Sequence, residues 1–441
     1  MKSILIKGAT LLTMDERNSI ISGNLFIRDG RIESIGSTPT SADVVLDAAG
    51  CVVLPGFVQT HLHLCQTIFR GAADDLPLLE WLKQRVWPLE AAHNASSIRA
   101  SARLAVAELI KSGTTCALTM ETVNHTEAVF RVIAETGFRA TVGKCMMDKG
   151  DDVPGPLHEQ TEASIQESLE LLSAWHGQGS GRVRYCFAPR FALSCSRELL
   201  LRVGELAKEN GVMIHTHASE NKNECALVES ETGQRNVAYL DSLGVSGAHV
   251  VLAHCVHLDE QEVEILARTR TNVAHCPSSN LKLGSGVAEI TKLLRRGISV
   301  SLGADGAACN NRLDMFTEMR SMALLQKAML GPEALQANQA LRIATIEGAK
   351  ALGLESEIGS LEAGKQADVI LVNLDTLHSS PHSDPISAVV YSAQSSDVKS
   401  VIINGELLMR DRELLMLDEE SVVKEANQER KALMERAGIA G

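Results

Sequence analysis

The chain has 441 residues, long enough for one large domain with a smaller one, or for two or three ordinary domains. Hydrophobic residues at 45% and charged residues at 22% are soluble globular composition and exclude a disordered chain. With 55 acidic against 42 basic residues the formal net charge is −13, which argues against a nucleic-acid partner, because phosphates need a basic surface.

No apolar run approaches the roughly 20 residues that a membrane span needs. The first residues, Met1 to Gly8, read as a short strand and not as a signal peptide, so a cytoplasmic protein with no membrane partner is expected. The ten cysteines contain no C-x-x-C pair and read as buried free thiols in a reducing compartment. Cys65 and Cys255 lie beside candidate site residues and are read as packing residues first.

Residues 1 to about 55 have the texture of short strands and turns, in Ile4-Leu5-Ile6, Leu25-Phe26-Ile27 and Arg31-Ile32-Glu33-Ser34-Ile35. From there short β-rich runs alternate with helix-like stretches. The runs are 52–61, 114–119, 140–144, 183–189, 212–217, 249–254, 272–276 and 298–303. Between them, stretches such as 100–111 and 198–209 carry apolar residues at helical spacing. Strands alternating with helices imply a parallel sheet, and eight units in roughly 300 residues fit a closed (β/α)8 barrel of the TIM type. The structural alternative is an open doubly wound sheet, and no G-x-G-x-x-G turn supports it. After about residue 360 the strand texture returns, in Asp368 to Val372 and Val401 to Gly405. The expectation is an α/β chain in three parts: 1–56 and 361–441 forming one small β-sandwich-like domain from both termini, and 57–360 forming the barrel. The charged stretch 419–436 reads as a solvated terminal helix.

His61-Leu62-His63 closes the first run. Residues two apart on a strand face the same side, so both imidazoles can meet one ion. His217, His254 and Asp305 follow the fifth, sixth and eighth runs, on the barrel face where sites of this fold lie. A single strand-end histidine is more often a core or loop residue, but several in one barrel point to a metal. Three nitrogens and a carboxylate leave a position for water, the catalytic form of such a site. His215 shares the face of His217 one step deeper and is expected to support the site from behind. Glu220, three residues after His217, is either a proton shuttle or a surface glutamate. His275 and Lys144 have no role legible from spacing, and Cys276 to Asn280 reads as a structural loop.

These segments resemble the amidohydrolase superfamily over nearly the whole chain. The resemblance rests on Pro55-Gly56-Phe57-Val58-Gln59-Thr60-His61-Leu62-His63, His217-Ala218-Ser219-Glu220, Ala253-His254-Cys255-Val256-His257, Gly303-Ala304-Asp305-Gly306 and the stretch Gly359 to Asp368. It implies one divalent ion, zinc or alternatively iron, bound by His61, His63, His217 and Asp305. It also implies Asp305 and Glu220 as proton-transfer residues and His254 as the residue that holds the water. Two-metal relatives carry a lysine on the fourth strand, where this chain has Ala188-Pro189-Arg190-Phe191. The reaction implied is hydrolytic deamination of an aminated heterocycle, and a homodimer is expected only by analogy.

The substrate divides the resemblance. Arg70 to Trp81, Pro88-Leu89-Glu90, Asn280 to Gly284 and Asp305 to Asn311 are similar to 5′-methylthioadenosine and S-adenosylhomocysteine deaminases, which implies Glu90 at the ribose. Gln66, Val142 to Asp148, Pro189 to Ser196 and Ser219 to Glu224 are similar to guanine deaminases, which implies Gln66 and Arg190 at a polar purine edge and Phe191 on the ring. A buried arginine needs an acceptor, which an oxo-purine supplies and adenine does not; the alternative is a salt bridge within the barrel. The leading expectation is a purine or purine-nucleoside deaminase, with guanine, pterin or triazine hydrolysis on the same site as alternatives. A barrel that binds without catalysis is disfavoured, since every metal and proton-transfer position is filled.

Overall fold

The computed structural model describes residues 3–439. Its centre is a ring of parallel strands: Phe57–His63, Thr114–Met120, Arg139–Met146, Val183–Pro189, Met213–Ala218, Val250–His254, Asn272–His275 and Val300–Leu302. Each pairs with the next in chain order. Nearly every residue in them is buried, as expected of parallel strands covered on both faces.

The ring closes through a short continuation of the last strand. Asp305–Gly306 pairs with Leu62 and His63, so Asp305 arrives in register between the two histidines of the first strand. Gly303 makes this possible: a Cβ there would lie 2.6 Å from the His61 carbonyl oxygen. The surrounding helices have conventional ends. Arg197–Asn210 starts at Ser196, whose hydroxyl accepts the Leu199 amide, and stops at Gly211 in the left-handed conformation.

The run expected as one strand over 52–61 is two strands in two sheets. Cys51–Pro55 belongs to a sheet built from both ends of the chain, and Phe57–His63 belongs to the barrel. The break falls at Gly56, where a Cβ would come within 2.1 Å of the Thr115 side chain. The terminal sheet runs Glu413–Leu414, Glu406–Arg410, Val398–Ile403, Val369–Asn373, Cys51–Pro55, Ser3–Leu12, Ile20–Arg28 and Arg31–Gly36, with Val44–Asp47 beside Ser3–Leu12. A buried ion pair ties this sheet to the barrel: Arg139 Nε donates to Asp368 Oδ2 at 2.7 Å and Arg139 Nη2 to Oδ1 at 3.0 Å.

The terminal helix Glu419–Ala437 is not simply solvated. Val422, Ala426, Leu433 and Met434 are buried, an apolar stripe masked by the charges around it. Arg430 donates to the carbonyls of Ile68 (2.9 Å) and Arg70 (2.6 Å), bracing the turn Leu64–Phe69 that follows the first barrel strand. Among the described residues no helix is long and apolar enough to cross a membrane.

Candidate metal centre and active site

At the C-terminal end of the ring the donors expected from the sequence converge. His61 Nε2 and His63 Nε2 each lie 3.2 Å from Asp305 Oδ1, and His217 Nε2 lies 3.3 Å from His63 Nε2. An ion with ligands at about 2.0–2.1 Å in tetrahedral arrangement requires donor separations of about 3.3 Å. These separations match that spacing, and His61, His63 and His217 offer one donor each within reach of a common ion. Sealed from solvent, His61 Nε2 has no hydrogen-bond partner, the state of a donor meant for a metal.

What lies behind each ring fixes which nitrogen points forward. His63 Nδ1 donates to the Met120 carbonyl at 2.7 Å, and His217 Nδ1 to the Arg190 carbonyl at 2.7 Å. A carbonyl only accepts, so Nδ1 carries the proton and Nε2 presents a lone pair. For His61 the chain is one member longer. His215 Nδ1 donates to Val251 O at 3.3 Å, leaving His215 Nε2 to accept from His61 Nδ1 at 2.8 Å. His215 thus stands behind His61 and sets its tautomer.

Next to the ligands lie the groups that can handle protons. Asp305 Oδ2 accepts from the Ser279 hydroxyl at 2.6 Å. Burial works against the Asp305 charge, but His61 and His63 outweigh it and hold the carboxyl well below its ordinary value. Glu220 is buried, with Oε2 3.4 Å from His254 Nε2 and Oε1 unpartnered. Burial first, then Asp305 and Glu224, push its carboxyl well above the ordinary value and favour its protonated form. The surface reading of Glu220 does not hold. His254 Nδ1 donates to Asn280 Oδ1 at 2.8 Å, leaving Nε2 as an unpartnered acceptor toward the cleft. His254 (φ 75°) and Asp305 (φ 64°) are both left-handed non-glycine residues, a conformation that costs of order 1–3 kcal/mol and clusters at functional sites.

Above the ligands lies a cleft of about 440 Å³. His63, His217, Glu220, His254 and Asp305 line its depth, with Gln66, Arg190 and Phe191 along one wall. Leu78, Trp81, Leu82 and Leu283 add apolar lining, and Glu224 completes it. Glu90 does not line the cleft; it sits behind Gln66 and Arg190 and accepts from both. Gln66 Nε2 donates to Glu90 Oε1 at 2.8 Å, and Arg190 Nη1 and Nη2 donate to the two Glu90 oxygens. The acceptor that a buried Arg190 requires is therefore inside the protein.

Several neighbours of the site were not singled out in the sequence. Pro277–Lys282, read there as a loop, is a short helix that delivers Ser279 to Asp305 and Asn280 to His254. Glu224 accepts the Glu220 amide at 2.9 Å and, in a capping box, the Asn221 amide at 3.3 Å, and Glu121 accepts the Cys65 amide at 2.9 Å. S/T/N-x-x-E spacing could have flagged Glu224; nothing local marks Glu121. Lys144 is an ion-pair residue, 2.6 Å from Glu159, outside the cleft. His275 is buried with both nitrogens unpartnered. All ten cysteines are free and buried, and burial pushes the Cys65 and Cys255 thiols well above their ordinary value, which leaves them unreactive.

The amidohydrolase family model matches residues 52–408. A 5′-deoxyadenosine deaminase of Methanothermobacter thermautotrophicus is 42% identical over 96% of this chain and 97% of its own. A 5-methylthioadenosine/S-adenosylhomocysteine deaminase of Pelotomaculum thermopropionicum is 41% identical over 99% of this chain and 100% of its own. Among solved structures, a zinc-bound adenosine deaminase of Xanthomonas campestris superposes with a TM-score of 0.93 at 32% identity, covering 98% of this chain and 99% of that one. The chain belongs to the amidohydrolase family, a metal-dependent superfamily.

Proposed function

We propose that this protein is a mononuclear metal-dependent aminohydrolase that deaminates adenine nucleosides carrying a small uncharged 5′ group. One observation carries the reading: a buried Glu220 with Oε2 3.4 Å from His254 Nε2 and Oε1 unpartnered, at the edge of a four-donor set. A site that only bound a metal would have no use for a buried carboxyl left unpaired beside its donors.

His61, His63, His217 and Asp305 would hold the ion, and three imidazoles with one carboxylate suit zinc, with iron as the alternative. An ion bound there would polarise a water and lower its pKa towards about 7. The remaining steps belong to the chain. His254 Nε2, its tautomer fixed by Asn280, accepts a hydrogen bond from the attacking water and orients it. Asp305, held by Ser279, takes a proton from that water as the oxygen joins the amine-bearing ring carbon. Glu220 gives its proton to the adjacent ring nitrogen, which makes that carbon electrophilic. The proton on Asp305 then goes to the leaving amine. The amine departs as ammonia, the hydroxyl proton returns to the ionised Glu220, and a ring carbonyl replaces the amine.

The apolar wall of Leu78, Trp81, Leu82 and Leu283 suits a 5′-deoxy or 5′-alkylthio group, and the names of the similar deaminases support the same class. The observation that would favour a guanine-type substrate, a buried arginine without an acceptor, is not met, because Glu90 supplies one. A panel of 5′-deoxyadenosine, 5′-methylthioadenosine, adenosine, S-adenosylhomocysteine, guanine, a pterin and melamine tests the reading by ammonia release. Turnover should be fastest on the first two. Ammonia from guanine or melamine but from no adenine nucleoside would overturn it.

A further inference from the structure

Glu318 is a completely buried carboxylate that no step above uses. It stands on the helix Met315–Leu330, and each of its oxygens accepts from an amide. Oε2 accepts the Ser278 backbone N–H at 3.1 Å, and Oε1 accepts Asn310 Nδ2 at 2.9 Å. The same Asn310 nitrogen donates to the Ala304 carbonyl at 2.6 Å, one residue before Asp305. Ser278 is the second residue of the helix Pro277–Lys282, directly ahead of Ser279 and Asn280. Pro277 has no N–H, so Ser278 carries the first amide of that helix, and the side chain of Cys276 does not cap it.

One carboxylate therefore holds both pieces of chain that meet at the proton-handling groups. Through Asn310 it fixes the strand end that carries Asp305. Through Ser278 it fixes the helix whose Ser279 bonds Asp305 and whose Asn280 bonds His254. That helix has six residues, too few to be stable by itself, so its place is set from outside. The partners of Glu318 in these bonds are amides and not cations, so its buried charge is costly, and an apolar side chain would serve packing alone better.

We propose that Glu318 is a positioning residue: it sets the helix Pro277–Lys282 against the strand end at Asp305, so that Ser279 and Asn280 meet Asp305 and His254 at bonding distance. The proposal rests on the roles given to Asp305 and His254 above. Glu318 does not line the cleft and acts through Ser279 and Asn280. Glutamine is the sharpest replacement. Two N–H donors need two acceptors, and a glutamine amide brings one oxygen and one NH2, so one of the two bonds fails while the volume stays the same. The helix and the strand end then lose their common reference.

The test is kcat and KM, per bound metal ion, on the adenine nucleoside that wild type deaminates fastest. Glu318→Gln is made in wild type and in a Ser279→Ala, Asn280→Ala double variant. In wild type it should lower kcat about tenfold and leave KM within about twofold. In the double variant it should cost less than about twofold, since nothing is left for Glu318 to align. A residue that only held the fold together would cost the same factor in both backgrounds. That result would overturn the proposal, and so would a wild-type kcat in Glu318→Gln. Asn310→Ala removes the other arm at a partly buried position and should follow the same pattern in both backgrounds; it decides the matter where Glu318→Gln does not fold. A Ser279→Ala, Asn280→Ala enzyme with wild-type kcat is a different result: it removes the reading of Asp305 and His254, and the proposal with it.

Discussion

In the floor of the cleft each ligand ring is committed on both sides, forward to the ion position and backward to a fixed acceptor. In the wall one carboxylate, Glu90, serves two donors, and the rest is apolar packing from 78–82 and Leu283. The floor stands on strand ends whose register the parallel ladder dictates; the wall stands on helices and turns. The difference separates tasks. On the proposed function, a floor with no rotational freedom would set the chemistry, and a wall whose polarity depends on one ion pair would set which molecule is admitted.

The sharpest way to break the comparison is to disarm the floor. Asp305→Asn should cost kcat at least about 10³-fold, because the site loses a ligand charge and a proton acceptor together; metal content measured on the same sample should fall with it. Glu220→Gln should lower kcat by about 10²–10⁴-fold while metal content stays at the wild-type level. That variant also carries a pH signature. Glu220 holds its proton up to a raised value and loses it as pH climbs through that value, so wild-type kcat/KM should fall on the alkaline side. The limb should be missing from the Glu220→Gln profile, and an unchanged limb would assign it to another group.

Support from behind should matter less. Asn280→Ala and Ser279→Ala leave every ligand in place but free His254 or Asp305, and each should cost about 10–100-fold in activity. Trp81→Ala acts on the wall alone. It should lower kcat/KM for 5′-methylthioadenosine several-fold more than for adenosine, with little change in kcat; an equal loss on both would mean that Trp81 does not meet the 5′ group. Far from the cleft, Asp368→Ala strands Arg139 in a buried site and should destabilise the fold by about 3–5 kcal/mol, read from denaturant unfolding.

The floor was legible in the sequence because its donors obey local rules. His61 and His63 share a strand face, and His217, His254 and Asp305 each follow an apolar run directly. The barrel was legible for the same reason, in the alternation of period-two and helical segments. The wall was not. Glu90 meets Gln66 across 24 residues and Arg190 across 100, and no periodicity connects them. Reading Arg190 alone suggested an unmet need for an acceptor, which only three-dimensional contact could correct. Ser279 and Asn280 were hidden because Cys276-Pro277 looks like a loop opening, while the proline is the first residue of a short helix. Gly56 concealed a crossing between sheets, since a glycine within an apolar run leaves the hydrophobic pattern continuous on both sides.

Hydrolytic loss of an amine from an adenine nucleoside can be read directly in one measurement. Metal-loaded enzyme is given 5′-deoxyadenosine in heavy-oxygen water, with ammonia counted and the product weighed by mass spectrometry. The account predicts one ammonia per product and one heavy oxygen in the base. A product without the label, or labelled product from guanine but none from the nucleoside, would contradict it.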